Sequence, residues 1–92
     1  MSERWTKAAE AYEAGKAGMV EVEARLKKAE RHREVLILSG LPYQSGAKGA
    51  YWWEEGRLRE LAVEKCRLEL KVAIERTEVL REAIIHVQRE EA

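Results

Sequence analysis

The residues of this chain that could do chemistry are few: two histidines, one cysteine, and one glycine-rich stretch that contains a lysine. That stretch runs Gly40-Leu41-Pro42-Tyr43-Gln44-Ser45-Gly46-Ala47-Lys48-Gly49. A phosphate-cradling loop needs its lysine followed by Ser or Thr and preceded by a strand, so that backbone N–H groups and the ammonium converge on the phosphates. Here Gly49 follows Lys48 and no strand pattern leads in, so a flexible or capping loop is expected instead. His86 lies four residues from both Glu82 and Glu90, which would share one side of a helix. A metal site in a helical bundle needs inward Glu-x-x-His pairs repeated on other helices, and the sequence does not repeat them. His32 stands alone, and Cys66 has no paired His to make it a nucleophile, so it reads as a small buried hydrophobe. One cysteine forms neither an intrachain disulfide nor a zinc cluster. No catalytic residue, cofactor or metal is expected, and the chain is not expected to be an enzyme.

A different chemistry, binding, is suggested between residues 25 and 60. Eight cations fall there (Arg25, Lys27, Lys28, Arg31, Arg33, Lys48, Arg57 and Arg59) against five glutamates (Glu30, Glu34, Glu54, Glu55 and Glu60). Tyr43, Tyr51, Trp52 and Trp53 lie among them. Cations mixed with stacking rings can grip nucleic acid. Five carboxylates blunt the field, so a solvated helix surface with aromatics packing one end of a bundle is the preferred reading. As a surface for a protein partner, the candidates are Arg31, Arg33, Tyr43, Lys48, Tyr51, Trp53, Arg57 and Arg59. Trp, Tyr and Arg dominate binding hot spots.

Two long helices must position these residues. In the second, the a positions of a heptad are Gly56, Val63, Leu70, Thr77, Ile84 and Glu91, and the d positions are Trp52, Arg59, Cys66, Ala73, Leu80 and Val87. Between Val63 and Val87 only Thr77 is not apolar, and such a stripe keeps a helix against a partner. Ile74 is expected to widen it. Leu58, Leu61, Leu68, Val72 and Val79 form another series at c and f, on nearly the opposite side. One intramolecular partner cannot cover both faces, so the second is the expected oligomer interface.

The first helix carries Trp5, Tyr12, Met19, Leu26 and Arg33 at a, and Ala8, Gly15, Val22, Ala29 and Leu36 at d. Ser2 is positioned to cap it, with Glu3 suited to the helix dipole. Glu21 with Arg25 and Glu23 with Lys27 are spaced as pairs four apart. Gly15 and Gly18 each lower helix propensity by about 1 kcal/mol relative to Ala, which points to a close helix contact or to a local kink. Arg33 and Arg59 interrupt the two seams near the connector, either opening the bundle toward a partner or snorkelling outward. Gly40 is the expected left-handed cap and Pro42 the stop. The fold expected is all-α, one domain over residues 1–92: helix over about 3–39, loop 40–49, helix over about 50–90. Both helices come to roughly 55 Å at 1.5 Å per residue. That near-equality fits an antiparallel hairpin, coiled-coil-like, dimerising into a four-helix bundle.

Ninety-two residues allow one small domain, of a size readily stabilised by oligomerisation. Seventeen basic residues balance seventeen acidic ones, so net charge selects no partner. Ser2-Glu3-Arg4-Trp5 runs straight into a charged helix, so no signal peptide is expected. The longest apolar run, Val35-Leu36-Ile37-Leu38, is far short of the ~20 residues that span a bilayer. A soluble, cytoplasmic protein without membrane contact is expected.

Three patterns carry a resemblance: Ala9-x-x-Tyr12-x-x-x-Lys16, then Arg33-x-x-Leu36-x-Leu38-x-Gly40, then Ser45-Gly46-Ala47-x-Gly49 followed by aromatics. Over about half the chain the sequence thereby resembles a group of short helical proteins that phages encode near their recombination exonucleases. In that group the glycine-rich turn leads toward a strand-like, Val-Asp-Tyr-containing tail. Here it leads into a second long helix, so nothing beyond the turn carries over. The resemblance implies a phage or mobile-element origin and no defined chemistry. The function expected is a non-enzymatic interaction module, an accessory or inhibitor that binds a host nuclease or defence complex stoichiometrically. A nucleic-acid-binding hairpin and a purely structural oligomerisation module are the alternatives.

Overall fold

The computed structural model describes residues 2–39 and 46–92. They form two helices, α1 (Glu3–Ile37) and α2 (Ala47–Glu91), packed antiparallel in a rod of 69 × 14 × 13 Å, with no strand among the described residues. Four ion pairs between the helices track the opposed directions: Arg4 with Glu90 at 2.7 Å, Arg25 with Glu69 at 3.4 Å, Arg67 with Glu30 at 3.9 Å, and Arg33 with Glu60 at 3.0 Å. Arg25 thus reaches across to α2 rather than back to Glu21, whereas Lys27 does pair with Glu23 at 3.6 Å. No helix among the described residues is long and apolar enough to cross a membrane.

Both heptad frames face the contact. Val63, Thr77 and Val87 of α2 and Leu36 of α1 are buried, and the other seam positions from Trp5 to Leu36 and from Trp52 to Ile84 are half-buried. Among the described residues Val63 is the large side chain that is fully covered. Two parallel cylinders touch along a line, so most seam side chains keep an open flank. Thr77 satisfies its hydroxyl inside this apolar seam by donating to the Ala73 carbonyl at 2.7 Å, the local bond that threonine makes in helices. Ile74, expected to widen the stripe, stays 46% exposed at its edge.

The two glycines of α1 have different causes. A Cβ on Gly15 would stand 2.9 Å from Leu80 Cδ1 and 3.5 Å from Thr77 Oγ1, so here the helices approach as closely as the missing side chain permits. A Cβ on Gly18 would meet nothing within 4 Å. The expected close contact therefore holds at Gly15 only.

Ser2 caps α1 as its position predicts, its hydroxyl accepting from the Trp5 N–H at 3.1 Å. Tyr12 and Lys16 touch, the ammonium 4.9 Å from the ring centroid, and Glu13 raises the lysine's pKa by a hydrogen bond and its charge. The helices are not of near-equal length: α1 has 35 residues and α2 has 45. Ala47, Lys48 and Gly49, expected in the loop, belong to α2. Gly46 precedes them at φ 79°, ψ −146°, a backbone conformation open to glycine and strained for other residues, and this lets the helix begin directly after it. At its other end α1 stops at Ile37, with Leu38 as its C-cap. The expected roles of Gly40 and Pro42 lie outside the described residues.

Two measurements follow from this packing. Leu36→Ala, at a buried seam position facing Gly56, should cost about 2–5 kcal/mol, whereas Gly18→Ala should add about 0.5–1 kcal/mol by helix propensity alone. Urea unfolding at one protein concentration reads both, and a Gly18→Ala loss would show that Gly18 is needed for packing. The second concerns the open end. The Arg4 hydrogen bond, followed by the His86 and Arg4 charges, holds the Glu90 carboxyl below its ordinary value. Its contribution is present above the unfolded carboxylate value of about 4.3 and is lost as pH falls through the lower folded value. Arg4 guanidinium shifts in an NMR titration should therefore move at a pH below that of free glutamate, and Glu90→Gln should abolish the movement.

Candidate functional site

At the connector end α2 overhangs the end of α1, and three polar contacts hold the two together. The Trp52 indole N–H donates to the Leu36 carbonyl at 2.9 Å, and the same carbonyl accepts from Ser39 N–H and Oγ at 3.1 and 2.6 Å. Arg33 Nη1 donates to both carboxylate oxygens of Glu60 at 3.2 and 3.0 Å. Arg59 donates through Nε to Glu55 at 3.1 Å and through Nη1 to the His32 carbonyl at 2.7 Å. The two seam-breaking arginines thus close the hairpin end instead of opening it. Each keeps its guanidinium paired while its stem fills the seam, the arrangement that makes a partly buried arginine affordable. Side-chain exposures of 25% and 16% show how little of either faces water.

The remaining candidates stand outside this closure. Trp53 is 68% exposed and packs edge-on against Trp52, with ring centroids 4.8 Å apart at 89°. Tyr51, Lys48, Arg57 and Arg31 are exposed, and among the described residues none of them holds an ion pair. Tyr43 lies outside the described residues. Nor do these residues form a single patch. Arg33, Trp53 and Arg57 line an open depression of about 590 Å³, while Arg31 and Arg59 line another of about 470 Å³ with Lys28 and Val35.

Val35, Ile37 and Leu38 are exposed beside buried Leu36. Four consecutive apolar residues point in four directions around a helix, and one neighbouring helix covers only one of them. The sequence displayed this run, but its helical phase, rather than its length, was the informative property.

The second surface is the outer face of α2. Leu58, Leu61, Leu68, Val72 and Val79 are all at least half exposed. Leu61, Leu68 and Val72 border a groove of about 870 Å³ whose other wall is Ala14, Gly15 and Gly18 of α1. The small α1 residues deepen this groove, and Gly18 has space in front of it for that reason.

Among the described residues no three of His, Cys, Asp and Glu come together as a metal would require. His86 reaches Glu90 at 3.0 Å at the open end, and Cys66 is a half-buried free thiol on the inner seam. No family model, curated protein or solved structure matches the chain. The closure at the hairpin end has a measurable signature. Trp52→Phe removes the indole donor but leaves Leu36 O its two Ser39 donors, so a loss of about 0.5–1.5 kcal/mol is expected. Arg57→Ala should stay within about 0.5 kcal/mol of the parent in the same urea experiment.

Proposed function

We propose that this chain is a non-enzymatic protein-interaction module, which pairs with a second copy into a four-helix bundle and presents its hairpin end to a foreign protein. The observation that carries this reading is the uncovered outer face of α2. The chain exposes 7094 Å², against about 5,500 Å² for a compact monomer of 10.6 kDa. Leaving a row of large aliphatics in water forfeits ~1.5–3 kcal/mol for each that a partner could bury.

At the hairpin end, Trp53, Tyr51 and Arg57 are exposed and have the composition of a hot spot, while Arg33 and Arg59 hold the scaffold beneath them. The resemblance of the first half supports a phage or mobile-element accessory protein acting in the cytoplasm on a host nuclease or defence complex. Nucleic acid is the second reading, favoured by Arg57 lining one depression with exposed Trp53 and by Arg31, Lys48 and Arg57 holding no ion pair among the described residues. The split of these cations between two depressions weakens it.

Sedimentation equilibrium at micromolar concentration should give twice 10.6 kDa, and a single species at 10.6 kDa would overturn the assembly. Added to a purified bacterial recombination exonuclease, the protein should inhibit up to a fixed molar ratio. Trp53→Ala should weaken this by about thirtyfold, the equivalent of a 2 kcal/mol hot spot, with mass and helicity unchanged. Salt-sensitive retention on DNA combined with an unaffected nuclease would favour the nucleic-acid reading instead.

A further inference from the structure

We infer that the second copy docks antiparallel on the outer face of α2, with the two-fold axis level with Leu70 and an ion pair between Lys65 and Glu75 setting the register. This rests on the self-association proposed above and adds its geometry.

The outer row is a second complete seam. Leu61, Lys65, Leu68, Val72, Glu75 and Val79 follow one another at spacings of four, three, four, three and four. That is the rhythm of a coiled-coil contact, with two charged residues among the apolar ones. Both charged residues are exposed, and among the described residues neither has an ion-pair partner within its own hairpin. Glu69, four residues from Lys65, is instead taken by Arg25.

The seam is complementary to itself in one orientation. Leu61 and Val79 lie nine residues before and after Leu70, Lys65 and Glu75 five, and Leu68 and Val72 two. An antiparallel two-fold axis at Leu70 therefore sets every apolar residue of the six against an apolar one and each charge against its opposite. The same patch serves both copies, as a two-fold dimer requires. A parallel pairing would set Lys65 on Lys65 and Glu75 on Glu75, and like charges in such a contact are strongly unfavourable. Slipping the antiparallel pairing by one heptad sets Lys65 on Leu68 or Glu75 on Val72, leaving a charge unpaired against an apolar side chain. Leu58 meets Glu82 at the rim in the preferred register, where the carboxylate stays in water.

The surface is large enough for this occupant. From Leu61 to Val79 the contact runs about 27 Å along the helix. Along that length Leu61, Leu68, Val72 and Val79 are each at least half exposed, so the apolar positions of the row are open to a second helix. The groove walled by Ala14 and Gly18 lies beside the row and gives the incoming helix a flank of α1 to rest on.

Cross-linking tests the register directly. In a Cys66→Ser background, Leu61→Cys and Val79→Cys are made singly and together, oxidised mildly and run on a non-reducing gel. The doubly substituted chain should form a covalent dimer, while each single variant stays monomeric, because the two copies of one position stand about 27 Å apart. Efficient cross-linking of either single variant would overturn the antiparallel register in favour of a parallel one. In parallel, Lys65→Glu should raise the dimer dissociation constant by at least about tenfold, and adding Glu75→Lys should restore it. A neutral Lys65→Glu would likewise overturn the register. A dimer by sedimentation without the Leu61–Val79 cross-link overturns this geometry alone, whereas a chain that remains monomeric overturns the assembly as well.

Discussion

Two helices side by side share one line of contact, and the organisation of this protein follows from that limit. Among the described residues only Leu36, Gly49, Val63, Thr77 and Val87 reach burial, with Gly15 letting α1 come within reach of Leu80. Such a core is thin, because each helix turns most of its circumference away from its neighbour. A helix that carries apolar residues on only one side can accept this arrangement. In α2 the opposite side is apolar as well, so the hairpin leaves part of its own sequence pattern unsatisfied.

The ends of the rod are fixed by polar groups, which suits a contact too narrow to define its own register. Ser2 and the Arg4–Glu90 pair close one end, and Trp52, Arg33 and Arg59 close the other. The two ends differ in character. The first is solvated and adds little energy. The second combines partly buried guanidinium groups, a shared carbonyl and a tryptophan, so several directional contacts converge there. The two surfaces differ in kind: the outer face of α2 is a row of exposed aliphatics, whereas the hairpin end carries exposed Trp53, Tyr51 and Arg57.

Much of this was legible in the one-dimensional pattern. Heptad spacing named the inner seam residue by residue, and the c and f aliphatics marked the face that stays exposed, because helical periodicity maps position directly onto direction. Ser2 was readable as a cap for a local reason: its hydroxyl bonds an N–H three residues away. Glycine was harder to read. Gly15 and Gly18 carry the same propensity cost, yet only Gly15 stands against another helix. The distinction depends on which α2 residue lies opposite, and that is a property of the pairing.

By itself, then, the sequence determined what is local or periodic: two helices, their facing stripes, the cap at Ser2, and a surplus of apolar surface on α2. Only the tertiary structure decided what depends on register between the helices. It assigned Arg25 to Glu69 instead of Glu21, folded Arg33 and Arg59 inward onto Glu60 and the His32 carbonyl, and divided the cations of the hairpin end between two depressions. It also extended α2 back to Ala47, making the helices unequal. Each of these turns on which atoms of the other helix lie within hydrogen-bonding or contact distance. Spacing along one chain specifies the face a side chain occupies, and the neighbour it meets there is set only when the second helix is in place.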